Sequence, residues 1–268
     1  MTIPPVENEL PLSGSRGSSY LERLLNLLEV AIVAENAPLT LTEISQRAQV
    51  PLSTASRLVS QLVSWDFLAD GGASRFIAGS RLVRMSLTVS EGLHSVDALA
   101  RATRTLSAVT GESVTAGLLV GNTLLIVART ESHNSLRAVN RIGENISPTY
   151  SALGKAMLSR MPEEKQLQLV RSEVGDRADS VLFGLRKELS AAMVDGYAVD
   201  EETYAVGLRC RAAAVIARDG TAIGGISIGG PAARFTHELA DAAVPHLLVE
   251  TAGLSADIDS TAMRGGRS

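Results

Sequence analysis

The sequence predicts an α+β protein with two domains, a small winged helix-turn-helix domain followed by a larger α/β domain with a central antiparallel sheet. Three observations predict it. Three short amphipathic segments precede a glycine-containing hairpin between residues 18 and 79. Two groups of strand-like segments then surround a group of helices, an order that fits an antiparallel sheet flanked by helices. The 268 residues are enough for two cores of ordinary size.

The first segments predict a tail and a helix. Residues 1–17 hold three prolines and two glycines among polar residues, so we expect them to be disordered. From Ser18 the chain reads as an amphipathic helix, because apolar residues follow helical spacing. The residues expected to face the core are Leu21, Leu24, Leu25, Leu28 and Ile32.

A helix-turn-helix pair follows. Thr40, with Glu43 three residues later, has the form of a capping box that opens a second helix over about 41–48. After a turn at Gln49 and Val50, Pro51 suits the first position of a third helix. That helix is expected to bury Ala55, Leu58, Val59 and Leu62, and to expose Ser53, Thr54, Ser56 and Arg57.

A wing completes the predicted domain of residues 18–79. The chain runs from Phe67 and Leu68 through ADGGAS into RFIAG, which reads as strand, turn and strand. Small donors at a helix N-terminus allow close approach to phosphates, and an arginine can reach a base edge. We therefore predict that the exposed face of the third helix contacts DNA and that Arg75 contacts the adjacent backbone or minor groove. A helical hairpin used only for dimerisation, with the hydroxyls as caps, is the alternative.

The rest of the chain predicts a linker helix over residues 80–94, a larger domain over 95–258 and a flexible tail over 259–268. The predicted strands are VTAGLLV, TLLIVART, SLRAV, YAVDE, LRCRAAAVIA and TAIGGISIG. Helices are expected near residues 151–160, 162–171 and 180–195. Asp219 and Gly220 suit a tight turn, and the last helix contains Pro245.

The composition bounds the function. Apolar residues make up 45% and charged residues 20%, as in globular proteins. No apolar run is long enough to cross a bilayer, and the N-terminus lacks a secretory signal, so we expect a cytoplasmic protein that does not contact membranes. The net charge is −4, but residues 42–85 carry a local excess of two positive charges. Charge alone does not decide for or against nucleic acid.

Metal and enzyme chemistry are not predicted. A single cysteine excludes a cysteine-based zinc cage, and the four histidines are scattered. GGISIGGP is neither a P-loop nor a dinucleotide fingerprint, because it ends a strand and runs into Pro231. The sequence carries no hydrolase signature. We therefore expect no metal, no cofactor and no enzymatic activity.

A ligand pocket is expected between the sheet and its covering loops. The helix start at Ala152, Leu153 and Gly154 could bind an anion through free N–H groups, or be an ordinary capped helix. Asp200 could accept a hydrogen bond from a ligand hydroxyl, or be a surface carboxylate. Cys210 could line the pocket beside Ser227, or be a buried structural cysteine.

Strand alternation bears on the reactivity of Cys210. It places Cys210 on the sheet face opposite Arg209 and Arg211. Neighbouring arginines on the same face would activate a thiol, so this placement argues against a redox-active Cys210.

Several stretches, in order, resemble the IclR-type bacterial transcriptional regulators. They are LTLTEISQRAQVPLSTASRLVSQLVSWDFL, SRFIAGSRLVRM, SPTYSALGKAMLSRMPEE and DGYAVDEETYAVGLRCRAAAVIARDGTAIGGISIGGPAARFT. The resemblance covers roughly residues 18–258. It implies a GAF-like effector domain in which Asp200, Cys210 and Ser227 match positions that contact small carboxylate effectors. Two residues depart from the family pattern: Gln49 stands where glycine is usual, and Gly229 stands where a second serine is usual.

The residues and the resemblance together predict a ligand-responsive DNA-binding transcriptional regulator. The expected partners are double-stranded DNA with a near-palindromic operator and a small carboxylate, a hydroxy or keto acid. The resemblance also implies a homodimer or homotetramer. The alternative is a winged-helix regulator that acts through protein contacts or through a Cys210 redox switch.

Overall fold

A computed structural model describes residues 19–33, 37–91, 94–138 and 140–265. The chain divides into two compact units, Met1–Leu93 and His94–Ser268. The division falls at the end of the predicted linker helix. The predicted disordered tail, residues 1–17, lies outside the described residues.

The first unit has the predicted order of three helices and a hairpin, with one further strand. Its elements are α1 (Tyr20–Ile32), β1 (Leu39–Thr40), α2 (Leu41–Arg47), α3 (Leu52–Ser64), β2 (Leu68–Asp70), β3 (Arg75–Ala78) and α4 (Ser80–Glu91). β1 pairs with β3, which gives a three-stranded antiparallel sheet in the order β1-β3-β2. The two-residue β1 was not predicted, because its strand conformation depends on the wing beside it and not on its own pattern.

The inward face of α1 differs from the prediction. Leu27 and Ala31 are buried, and Leu24 and Leu28 pack against the same core as predicted, whereas Leu21 is 59% and Leu25 51% exposed. Leucines cover two adjacent faces of this helix, so the helical spacing was correct but did not specify which face packs against the unit. The helix begins at a capping box in which Ser19 Oγ accepts from the N–H of Glu22, a signal that the sequence also contained.

The helix-turn-helix pair folds as predicted. Thr40 and Glu43 form the capping box, with the Thr40 N–H donating to Glu43 Oε2 at 2.7 Å. Gln49 adopts a φ of 54°, the left-handed conformation that a glycine would occupy more easily. α3 begins one residue later than expected, since Pro51 caps the helix instead of opening it. Its predicted core residues, Ala55, Leu58, Val59 and Leu62, are buried.

The second unit is a five-stranded antiparallel sheet with helices on both faces. Its elements are α5 (His94–Thr110), β4 (Ser113–Val120), β5 (Thr123–Thr130), α6 (Ala152–Leu158), α7 (Glu163–Val174), a 3₁₀ turn (Gly175–Arg177), α8 (Ala178–Asp195), β6 (Ala198–Glu201), β7 (Leu208–Ile216), β8 (Ala222–Pro231) and α9 (His237–Gly265). The strand order is β5-β4-β8-β7-β6. One cluster of buried residues packs α6, α7 and α8 on one face, and a second packs α5 and α9 on the other.

Two details of the second unit differ from the expectations. The segment SLRAV was expected to be a strand, but Ser135–Ala138 form none. Leu136 is 68% exposed there, so the apolar alternation does not correspond to a buried face. α9 continues past residue 258 to Gly265 and includes Pro245. Among the described residues, no helix is both long and apolar enough to span a membrane.

The glycines of GGISIGGP lie within β8 and allow close packing. A Cβ at Gly225 would lie 2.8 Å from a methyl carbon of Leu153 on α6. A Cβ at Gly224 would lie 2.7 Å from the carbonyl oxygen of Gly117 on β4. A side chain at Gly225 would push α6 away from the sheet, so this glycine holds the cavity-lining start of α6 against β8, whereas Gly224 allows β4 and β8 to lie close together.

Candidate functional site

The exposed face of α3 carries short hydroxyl side chains around one arginine. Ser53, Ser56 and Arg57 are exposed, and Thr54 is half-buried at the edge of the face. The guanidinium carbon of Arg57 lies 5.8 Å from the centre of the Tyr20 ring, a cation–π distance. A face with short hydrogen-bond donors and one long cationic side chain is of the kind that contacts base edges in the major groove.

Three residues of this face were missed by the sequence reasoning. Ser60 is exposed at helical spacing from Ser53, Ser56 and Arg57, so periodicity could have identified it. Tyr20 comes from α1 and donates its hydroxyl to Gln61 on α3. The contact between Tyr20 and Gln61 joins residues 41 positions apart in the sequence, and only the folded chain brings them together.

Arg75 lies in β3 with its guanidinium engaged inside the first unit. Its Nη1 donates to the Pro38 carbonyl oxygen at 2.5 Å and lies 3.5 Å from Glu43 Oε2. The side chain is 39% exposed, so Arg75 supports the packing of the wing and also presents charge to solvent.

We expect Arg75→Ala to weaken binding to operator DNA and to random-sequence DNA by a similar factor, because a phosphate contact carries no sequence information. Titrations at several salt concentrations should show a salt slope smaller by about one. Thermal unfolding serves as the control, since the Pro38 contact is lost as well. Unchanged affinity for both DNAs in a folded variant would remove Arg75 from the interface.

A cavity of about 70 Å³ lies between the sheet of the second unit, the start of α6 and the covering loops. Its volume corresponds to roughly two waters or a small organic molecule. Hydroxyl and amide groups line much of its wall, contributed by Ser113, Thr115, Asn140, Asn145, Ser147 and Ser151. Of the predicted residues, the cavity brings together Ala152, Leu153, Asp200, Cys210 and Ser227.

Asp200 is the most unusual residue of the wall. It is only 1% exposed. Its Oδ1 accepts from the backbone N–H groups of Thr203 and Tyr204 at 2.9 and 3.1 Å. Its Oδ2 is buried without a hydrogen-bond partner among the described residues. Burial raises the pKa of the Asp200 carboxyl, against the two backbone hydrogen bonds, the charge of Lys155 and the side chain of Thr203, which lower it. The carboxyl is therefore rigidly held with one acceptor left for a ligand.

The start of α6 is only partly open to the cavity. Ala152 and Leu153 line it, and first-turn N–H groups have no intrahelical partner. The Gly154 N–H, however, donates to Ser151 Oγ at 2.9 Å. A Cβ at Gly154 would lie 2.1 Å from the Ser147 carbonyl oxygen, so this glycine faces the preceding loop. Because Gly154 has no side chain, the preceding loop can pack closely against it. Gly154 is not among the residues that line the cavity.

Cys210 and Ser227 lie on adjacent strands on the cavity side of the sheet. Burial and the nearby Asp200 charge raise the pKa of the Cys210 thiol to about 12, and a hydrogen bond with Ser227 acts in the opposite direction. Arg209 and Arg211 lie on the other face, as alternation predicted, where both bond Glu201. The thiol is therefore protonated at neutral pH, which makes it a weak nucleophile.

The contact beside Gly229 shows how tightly the cavity wall is packed. A Cβ there would lie 3.0 Å from Cys210 Sγ. We therefore expect Gly229→Ser to lower the free energy of unfolding by about 1 kcal/mol through overpacking. Adding Cys210→Ala in the same chain should restore most of the loss in chemical denaturation. If Gly229→Ser alone leaves stability unchanged, the serine fits without displacing the thiol.

A buried ion pair between Glu112 and Arg234, which the sequence did not predict, holds part of the loop that covers the cavity. Glu112, which is 4% exposed, receives two hydrogen bonds of 2.7 Å from Arg234. Arg234 also donates to the Leu136 carbonyl oxygen at 3.1 Å. Leu136 precedes Ala138 and Asn140, which line the cavity. The pair thus fixes part of the loop that closes the site.

Two family models cover most of the chain. The IclR helix-turn-helix domain matches residues 21–70, and the bacterial transcriptional regulator IclR C-terminal domain matches residues 88–255. The HTH-type transcriptional regulator BhcR of Paracoccus denitrificans is 31% identical over 83% of this chain and 81% of that protein. The HTH-type transcriptional repressor AllR of Klebsiella pneumoniae is 27% identical over 84% of each chain. Both relatives are named as transcriptional regulators.

Solved structures share the fold. The IclR protein of Thermotoga maritima matches with a TM-score of 0.70 and 22% identity, over 89% of this chain and 98% of that one. An IclR homologue from Microbacterium hydrocarbonoxydans, complexed with 4-hydroxybenzoate, matches with a TM-score of 0.72 and 22% identity, over 90% and 100%. The matched domains, their order and the fold agree with the resemblance inferred from the sequence. The chain belongs to the IclR family of bacterial transcriptional regulators.

Proposed function

We propose that α3 binds operator DNA in the major groove and that a small molecule in the cavity of the second unit controls this binding. The predicted DNA contacts are Ser53, Thr54 and Ser56 to phosphates and Arg57 to a base edge or the backbone. The exposure of this face and the contact between Tyr20 and Arg57 support the assignment. The protein would act in the cytoplasm, where its operator lies.

The unpartnered Oδ2 of Asp200 is the observation that carries the effector site. Buried polar atoms in folded proteins are nearly always hydrogen-bonded, so an unpaired carboxylate oxygen in a cavity wall indicates a missing partner. A ligand hydroxyl supplies such a donor. This favours a hydroxy acid, or a keto acid bound as its hydrate, over a plain fatty acid.

Two further observations support that ligand class. The similar protein from Microbacterium hydrocarbonoxydans was crystallised with 4-hydroxybenzoate, which carries both a hydroxyl and a carboxylate. The hydroxyl and amide groups of the wall can bind the polar parts of such a molecule. Gly229 lacks a hydroxyl, so we expect an effector somewhat larger or less polar than the two-carbon acids.

A redox switch at Cys210 is the less favoured mechanism. A thiol whose pKa is raised to about 12 holds little thiolate at neutral pH, and thiolate is the form that oxidants attack. Regulation by protein contacts alone gives no role to the unpaired Asp200 oxygen.

We also propose that the protein binds DNA as a homodimer, with a tetramer as the larger assembly. α1 and α4 of the first unit expose large apolar side chains, including Leu21, Leu25, Val83, Leu87 and Val89. Apolar surface of this kind indicates a protein interface. A two-fold dimer would read a near-palindromic operator with half-sites about one helical turn apart, or a multiple of that. Footprinting of a single asymmetric half-site would contradict this.

The direct test uses Asp200→Ala with an operator fragment selected from random DNA by the wild-type protein. Calorimetry with graded hydroxy and keto acids should identify a ligand for the wild type. Asp200→Ala should bind it at least about tenfold more weakly, because a hydrogen bond to a charged group is lost. Operator affinity without ligand should stay unchanged. Equal ligand affinity in a folded variant would place the effector site elsewhere.

A further inference from the structure

The charge balance of the cavity is unusual for a site that accepts an acid. Of the described residues that line it, none is lysine, arginine or histidine, whereas Glu144 and Asp200 both contribute carboxyl groups. Glu144 is balanced: Oε2 accepts from the Arg141 N–H at 2.9 Å, and Oε1 lies 3.7 Å from the Arg141 guanidinium. Asp200 has no such ion pair among the described residues.

Lys155, the cation whose charge acts on Asp200, already has an ion-pair partner. Lys155 on α6 lowers the pKa of Asp200, but its Nζ bonds Glu188 Oε2 at 2.7 Å and does not line the cavity. A ligand carboxylate placed against Oδ2 would therefore meet a second negative charge in a cavity whose described lining carries no cationic side chain. Two carboxylates at close range do not both stay ionised.

We propose that the cavity recognises its ligand as a hydrogen-bond donor to Asp200 Oδ2, so that an organic acid binds only together with one proton taken from solvent. In that complex the ligand hydroxyl donates to Oδ2 and the adjacent ligand carboxyl lies close to Asp200, so one of the two carboxyls holds the proton and the pair carries a single negative charge. A neutral amide of the same skeleton donates its own N–H and needs no proton. This inference rests on the proposed function, because it concerns the same cavity.

The other titratable groups around Asp200 do not account for such a proton. Burial raises the pKa of Tyr204, and the Cys210 pKa is raised to about 12, so both remain neutral between pH 6 and 8. Glu144 accepts a hydrogen bond from the Arg141 N–H, and Glu188 forms an ion pair with Lys155. Burial raises the pKa of Asp200 itself, which makes its carboxylate the group that takes up the proton.

Calorimetry on the full-length protein provides the test, with matched pairs of two- to four-carbon 2-hydroxy acids and their amides, from glycolate and glycolamide upward. Titrations in phosphate and in Tris give the number of protons taken up on binding. For the acid we expect about one proton and an affinity that falls about tenfold per pH unit above the pKa of free Asp200. For the amide we expect no proton uptake and a flat profile.

Asp200→Asn should reverse this preference. An asparagine keeps the acceptor for Thr203 and Tyr204 but presents an N–H₂ donor in place of Oδ2. The variant should bind the acid without proton uptake, more tightly than wild type at pH 8, and should bind the amide about tenfold more weakly. Asp219→Asn, in an exposed turn, is the matched control and should behave as wild type.

The outcomes separate this inference from the proposed function. Acid binding to the wild type without proton uptake, or with a flat pH profile, overturns the inference and leaves the effector site in place. Loss of acid binding in Asp200→Asn at pH 8, in a folded protein, also overturns it. If no acid or amide of the series binds the wild type, the proposed effector site and the inference both fail.

Discussion

Replacing Arg57 with alanine should weaken operator binding by about 1 to 3 kcal/mol, roughly 5- to 150-fold, and relax specificity at one base position. Arg57 is the only arginine or lysine of α3, so no neighbour on that helix can replace its contact. Tyr20 stacks on the guanidinium and would limit the conformations that Arg57 samples before it meets DNA. Fluorescence anisotropy with the selected operator and its single-base variants measures both effects.

Two further variants show which interaction causes the loss of operator affinity in Arg57→Ala. Tyr20→Ala should reproduce part of the Arg57→Ala effect without removing a charge, because it leaves Arg57 unsupported. Arg177→Ala removes an exposed arginine from the second unit and should not alter base preference. If Arg57→Ala weakens operator and random DNA equally, Arg57 binds a phosphate and another residue reads the base.

The helices and the main strands could be predicted because their information is local. The capping box at Thr40 and Glu43, the apolar face of α3 and the Asp219–Gly220 turn each depend on residues a few positions apart. α1 marks the limit of such reasoning. Its spacing gave the helix, but its partners in the folded unit decided that Leu27 is buried and Leu21 exposed.

The candidate site was predictable only where a strand pattern fixed the side of the sheet. Alternation correctly separated Cys210 from Arg209 and Arg211. The geometry of Asp200 was not predictable, because its burial depends on a loop that folds back so that Thr203 and Tyr204 donate to it. Gly154 resembled part of an anion site, but its N–H donates to Ser151 Oγ, and the Ser147 carbonyl oxygen occupies the space where a side chain would lie. Non-local contacts of this kind leave no periodic signal.

Replacing Arg234 with methionine should lower the free energy of unfolding by about 3 kcal/mol, a larger loss than that expected for Gly229→Ser. Its partner Glu112 has a side chain only 5% exposed and would keep a buried charge without a counter-ion. Arg234 itself is 35% exposed, so water can reach the vacated side, which sets the loss at the low end for broken buried pairs. Urea denaturation followed by circular dichroism measures it.

The double variant Glu112→Met with Arg234→Met separates the cost of a stranded charge from the value of the pair. Removing both charges should recover most of the stability, since a buried ion pair is often no better than apolar side chains of similar size. The close approach of Gly230, whose Cβ would lie 2.5 Å from Glu112 Oε2, explains why an unbranched methionine is chosen. Effector affinity should stay reduced even in the rescued protein, because the bond from Arg234 to the Leu136 carbonyl, which holds the cavity cover, is not restored. If the double variant is as unstable as Arg234→Met, the loss arises from that loop contact and not from the unpaired Glu112.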